Sequence, residues 1–162
     1  MTPLVRAALI AAAVIAPAVS AVPSQAQGAS ALVGAWTLSY ERGRRVENGV
    51  VSPIMGEAKF EVAQSGDSLL ATLAPGARPD GTIPPPATFG GRIAGDSAVF
   101  VQKQKATFNM NGEEQTRDMF LTWVLRASGD ALTGTMAREI PGMEAAGDMT
   151  APAPVKGVRV KR

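Results

Sequence analysis

The sequence predicts an all-β domain, a single antiparallel up-and-down β-barrel of about eight strands, with a two-sheet β-sandwich as the alternative. Three observations carry that expectation. Short runs alternate apolar and polar residues with period two, the pattern of a half-buried strand. The triplet small-Gly-Asp occurs three times, as Ser65-Gly66-Asp67, Ala94-Gly95-Asp96 and Ser128-Gly129-Asp130, each between two such runs. Gly-Asp pairs supply the positive φ that a tight two-strand turn needs, so three copies indicate a meander of hairpins. No helical period of convincing length is found.

The first expected strand spans Ala35 to Glu41, with Trp36, Leu38 and Tyr40 on one face and Thr37, Ser39 and Glu41 on the other. The stretch from Gly43 to Met55 holds the turn pair Asn48-Gly49 and reads as a short hairpin or a long loop. Alternation returns from Glu57 to Gln64, placing Ala58, Phe60 and Val62 inward, and after the first Gly-Asp turn the partner strand covers Ser68 to Ala74. From Gly76 to Pro86 the chain is rich in Gly and Pro and cannot supply the donors of a central strand, so it is a loop. Strands follow at Ala87 to Ile93 and, beyond the second Gly-Asp turn, at Ala98 to Phe108. Asn111-Gly112 makes another hairpin turn. Gln115 to Ala127 has the strongest pattern, with Met119, Leu121, Trp123 and Leu125 on one face. The third Gly-Asp turn leads into Ala131 to Arg138, a second long loop runs from Ile140 to Pro154, and Val155 to Lys161 closes the chain as a strand. Eight, or at most nine, locally connected strands result. Successive hairpins favour closure into a barrel, which removes the exposed edges of a long meander.

The residues ahead of this pattern read as a secretory signal peptide: Arg6 leads into the small apolar run Ala7 to Val19, followed by small-x-small cleavage candidates. The expected boundary is after Ala26, with Ala21 as the other choice, giving a leader over 1–26 and one β domain over 31–162. About 135 residues remain, enough for a single modest core. One of the 16 basic residues lies in the leader, and the rest face 14 acidic ones. That balance gives no field for gathering nucleic acid or anionic lipid. With no cysteine the fold must hold by packing, and lipidation of a mature N-terminal cysteine is excluded. Two tryptophans, one tyrosine and five phenylalanines are too few for the aromatic girdles of an outer-membrane barrel, and outward positions such as Lys59, Glu61, Lys103 and Lys105 are charged. The expectation is a periplasmic or secreted monomer that does not engage the membrane once the leader is cleaved.

The segment Leu32-Val33-Gly34-Ala35-Trp36 carries a Gly-x-Trp opening to the first strand that resembles lipocalins and the wider calycin group, including avidin-like and fatty-acid-binding-like barrels. The phrase Gly129-Asp130-Ala131-Leu132-Thr133-Gly134-Thr135 also resembles the final hairpins of small secreted bacterial lipocalin-like domains of undefined role. The resemblance implies that Trp36 packs across a closed barrel end against an arginine from near the last strand, with Arg159 the positional candidate and Arg126 the other. The Thr-Asp-Tyr turn of lipocalins is missing, and biotin binding in avidins uses more tryptophans than this chain has. No ligand residue is therefore carried over.

No histidine occurs, which removes Ser-His-Asp and Cys-His nucleophile systems, histidine proton shuttles and the common zinc sites. Gly-x-Ser-x-Gly, a Ser-x-x-Lys pair, a phosphate loop and an EF-hand loop are also absent. Glu113, Glu114 and Asp118 form the densest acidic group, but adjacent strand residues face opposite ways, and solvated charge beside a turn is the simpler reading. The repeated aspartates sit at separate hairpin tips and form no calcium cage. Methionines such as Met119 and Met136 fall on core faces and read as packing rather than copper ligands. The cluster Arg42, Arg44 and Arg45 reads as a solvated loop or as an anion site. No enzyme activity, metal or cofactor is expected.

What remains is a cavity. An eight-stranded barrel interior is either filled by side chains or holds one small ligand. Leu38, Tyr40, Phe60, Phe89, Leu121, Trp123 and Met136 would line it, with Trp36 and Arg159 as the structural barrel end. The leading functional expectation is non-catalytic binding of a small apolar or amphipathic ligand. The alternative is a structural or accessory module with a filled core, docking a protein partner through the loops at 76–86 and 140–154. An enzyme of unusual, histidine-free type is the third reading.

Overall fold

A computed structural model of the chain describes residues 31–110, 113–142 and 150–161. The expected leader and both cleavage candidates lie outside them, as do the turn pair Asn111-Gly112 and residues 143–149 of the second expected loop. Eight strands run in sequence order: β1 (Gly34–Glu47), β2 (Val50–Ser65), β3 (Ser68–Pro75), β4 (Ala87–Ala94), β5 (Ser97–Met110), β6 (Glu113–Ser128), β7 (Ala131–Glu139) and β8 (Ala153–Arg159). Each pairs antiparallel with its neighbour, and β8 pairs back onto β1 between Trp36↔Arg159 and Tyr40↔Val155, so the sheet is a closed barrel. The sandwich alternative does not hold.

Turn chemistry sorts the two ends. The three small-Gly-Asp turns all lie at the end where β1 begins, joining β2 to β3, β4 to β5 and β6 to β7. In each, the glycine alone has positive φ (60°, 64° and 59° at Gly66, Gly95 and Gly129), which is the type II′ arrangement with glycine first. At the other end, Asn48 and Gly49 both have positive φ, as type I′ requires, and Glu47 pairs with Val50 across them. The stretch at 43–55 is thus a continuation of the β1–β2 hairpin, not a loop. The same end carries the segment 76–86 and the connection from β7 to β8.

Strand lengths are unequal. β1 pairs with β8 only as far as Tyr40, and β2 pairs with β3 only from Ala58, so the distal half of the β1–β2 hairpin pairs with itself alone. The β5–β6 hairpin does the same beyond Phe120. The β4–β5 ladder also stops early, at Gly91↔Phe100, which leaves Ala87 to Gly90 without β5 partners. Two long hairpin arms and one incomplete seam therefore frame the open end.

The interior is layered. At the closed end Trp36 is fully buried and its Nε1–H donates to Leu32 O at 2.8 Å. The Arg159 guanidinium lies 4.1 Å from the Trp36 ring and donates to Val33 O at 3.0 Å and to Ala31 O at 2.5 Å. Gly34 fits this seal because its φ is +129° and a Cβ there would meet Arg159 Nη1 at 2.8 Å. Arg126, the other candidate, points outward to Asp96 instead, at 2.8 Å. Above the seal, Phe60, Phe89 and Phe100 pack at centroid distances of 5.9 to 6.5 Å, and Phe89 stacks on Trp123 at 6.4 Å. These pairs fill the middle of the barrel.

Candidate functional site

Above the aromatic layer the interior opens into a cavity of about 460 Å³. Of the seven residues expected to form a lining, Tyr40, Leu121, Trp123 and Met136 do so, joined by Leu73. Leu38, Phe60 and Phe89 belong to the packed core toward the closed end. Pro84, Pro85, Pro86 and Ala87 line one side, and Gln102, Lys103, Gln104 and Lys105 of β5 line the other. The cavity thus reaches the seam where β4 and β5 cease to pair. Both the Pro-rich loop and the edge of β5 shape its mouth.

A β-bulge brings charge inward. Between Glu41 and Gly43 the register with β2 shifts by one, leaving Arg42 unmatched. Strict alternation puts Glu41 outside, but the extra residue turns the strand and Glu41 is buried, only 6% exposed. Its carboxylate meets two arginines: Arg44 Nε at 2.7 Å and Arg138 Nη1 at 2.8 Å, both on Oε1. Arg44 also donates to Glu41 Oε2 at 3.3 Å and to Ala151 O at 2.9 Å, while Arg138 donates to the Glu41 carbonyl. This cluster ties β1, β7 and the chain just before β8 together at the mouth.

Burial alone pushes the Glu41 carboxyl up, but the hydrogen bond from Arg44 and the charges of Arg138 and Arg44 outweigh it and hold the group below its ordinary 4.5. Burial pulls the Arg138 guanidinium below its ordinary value, against the opposing pull of Glu41. Burial likewise raises the Tyr40 hydroxyl, partly offset by Arg42 and Arg138. On the outer face of the β5–β6 arm, Lys103 and Lys105 sit 2.8 and 2.6 Å from Asp118 and hold its carboxyl down at about 2. The acidic group expected near the Asn-Gly turn is thus split: Asp118 is paired with lysines, and Glu113 and Glu114 are exposed.

Two buried polar atoms at the cavity wall, Gln102 Oε1 and Trp123 Nε1, have no hydrogen-bond partner among the described residues. Arg42 reaches Ala77 O only at 3.4 Å, and Arg45 pairs with Glu47 at 3.3 Å on the surface. The basic cluster therefore lies on a strand and divides among three different environments. Sequence reasoning did not single out Gln102 or Arg138. The available signal was position: each stands two residues beyond an inward aromatic or methionine, Phe100 and Met136, so each is a polar side chain at an inward place.

Fold and site together define a class: an eight-stranded antiparallel barrel sealed at one end by a Trp-Arg pair and hollow at the other, with buried charge at the mouth. No family model matches the chain, and comparison with curated proteins and with solved structures gave no match.

Proposed function

We propose that this is an exported, non-catalytic, lipocalin-like barrel that binds one small amphipathic molecule in the cavity at its open end. The observation that carries the reading is that cavity: its volume lies in the range of small-molecule sites. Its floor is made by Leu73, Leu121, Trp123 and Met136, and Gln102 and Trp123 leave polar atoms unpaired beside it. An unpaired buried polar atom costs about 1 to 3 kcal/mol, which a ligand offering the complementary group would recover. The Gly-x-Trp seal agrees with a calycin-type barrel, in which one end is closed and the other receives the ligand. An accessory module is the second reading, favoured by Ile83, which stands 73% exposed on the Pro-rich loop.

The test is native mass spectrometry of the exported protein purified from its own host, followed by organic extraction. A released small molecule in one-to-one amount is the expected result. An apo mass together with a stoichiometric co-purifying protein would replace this reading with the accessory one.

A further inference from the structure

Resting on the reading of the cavity as a small-molecule site, we infer that its ligand is an amphiphile with a single anionic head, a carboxylate, sulfonate or phosphate ester, received by Arg138 and the basic rim. Among the described residues the buried cluster at the mouth is not neutral. Arg44, Arg138 and Glu41 have side chains 11%, 8% and 7% exposed, so two guanidinium groups face one carboxylate away from bulk water. Arginine does not give up its proton in proteins, so one positive charge is left over. Among the described residues no second carboxylate reaches either arginine. Buried charge is tolerated when it is paired, and the surplus here borders the cavity, because Arg138 is part of the lining.

The rim has the same sign. Arg42 and Arg78 line the mouth and form no ion pair with a carboxylate among the described residues. Lys103 and Lys105 border it where β5 is unpaired with β4, with their ammonium groups on the outer face sharing one carboxylate, Asp118. Against these stand Glu41, already used twice, the exposed Glu57, and the exposed Asp80 on the loop beside Arg78. A chain whose basic and acidic residues nearly balance has thus gathered a basic excess around this cavity. Gln102 adds a separate indication: 93% of its surface is removed from solvent, and its Oε1 has no donor among the described residues. A hydroxyl or amide N–H next to the ligand's anionic head would supply one. The apolar body would lie on Leu121 and Trp123 of the floor and on Tyr40, which also lines the cavity.

Two fluorescent naphthalene dyes separate charge from shape. 1-Anilinonaphthalene-8-sulfonate and N-phenyl-1-naphthylamine share one ring system and differ by the sulfonate. Titrated into the exported chain, the sulfonate dye is expected to bind one per molecule at least tenfold more tightly than the neutral dye, with the difference shrinking as salt is raised. Arg138→Gln is expected to lower that affinity ratio about tenfold. Because Arg138→Gln also removes a partner of Glu41, Arg78→Gln on the surface loop is the second variant, expected to lower the ratio about threefold. Equal affinity for the two dyes, a ratio unmoved by Arg78→Gln, or many sulfonate dyes per chain would overturn the anionic head while leaving small-molecule binding in place. Binding of neither dye would remove both.

Discussion

Trp36 and Glu41 lie five residues apart on β1 and secure opposite ends of the stretch that pairs with β8. Trp36 is fully buried, with its indole N–H bonded to Leu32 and its face covered by Arg159. Replacing it with alanine is expected to cost about 3 to 5 kcal/mol, since the ring's burial is lost and a cavity remains. Urea unfolding checks this, and an unchanged midpoint would deny the seal any part in stability. Glu41→Gln leaves two buried arginines without their carboxylate and is expected to cost about 3 kcal/mol. The pH dependence has a definite sign. The folded carboxyl titrates below its ordinary 4.5, so its contribution is fully present above that value and lost as pH falls through the folded one. The wild-type protein should lose stability below pH 4.5 more steeply than Glu41→Gln, as measured by denaturant midpoints between pH 7 and pH 3.

At the scale of the strand, one steric pair decides how β4 meets β5. A Cβ on Gly91 would lie 2.3 Å from the Phe100 ring, and that ring is boxed in by Phe60 and Phe89. Gly91→Ala should therefore cost about 1 to 3 kcal/mol through overpacking. Gly90→Ala, with open space around the added methyl, should cost almost nothing, and thermal melts of the two variants check the contrast. The strands themselves were legible because alternation and turn pairs are local: Trp36, Leu38 and Tyr40 announce an inward face, and each Gly-Asp pair marks a reversal. The bulge at Arg42 was not legible. A one-residue shift in register leaves no mark on composition, and it alone turned Glu41 from the expected outer face to the interior. The lining was half legible for a related reason. Period two says that Phe60 and Trp123 both point inward, but the stagger of a closed barrel sets their height, and only Trp123 reaches the cavity.

For the whole molecule, function was the least legible level. Absent histidines and cysteines removed mechanisms, but a cavity forms from strand lengths and a broken seam between β4 and β5, which no single residue encodes. The sorting of turns has a further consequence. Three two-residue loops, a buried indole and a guanidinium bind one end tightly, whereas the other end holds two self-paired arms, the long connections and an incomplete ladder. Such a barrel opens from the rim inward, with local opening free energies graded along its axis. Amide exchange should follow that gradient: Leu38, Val62 and Leu125 protected to the limit of global unfolding, and Ile54, Lys105 and Arg117 exchanging far sooner. A molecule seated in the cavity would then slow exchange only in the upper half, reporting its own presence through backbone hydrogens it never touches.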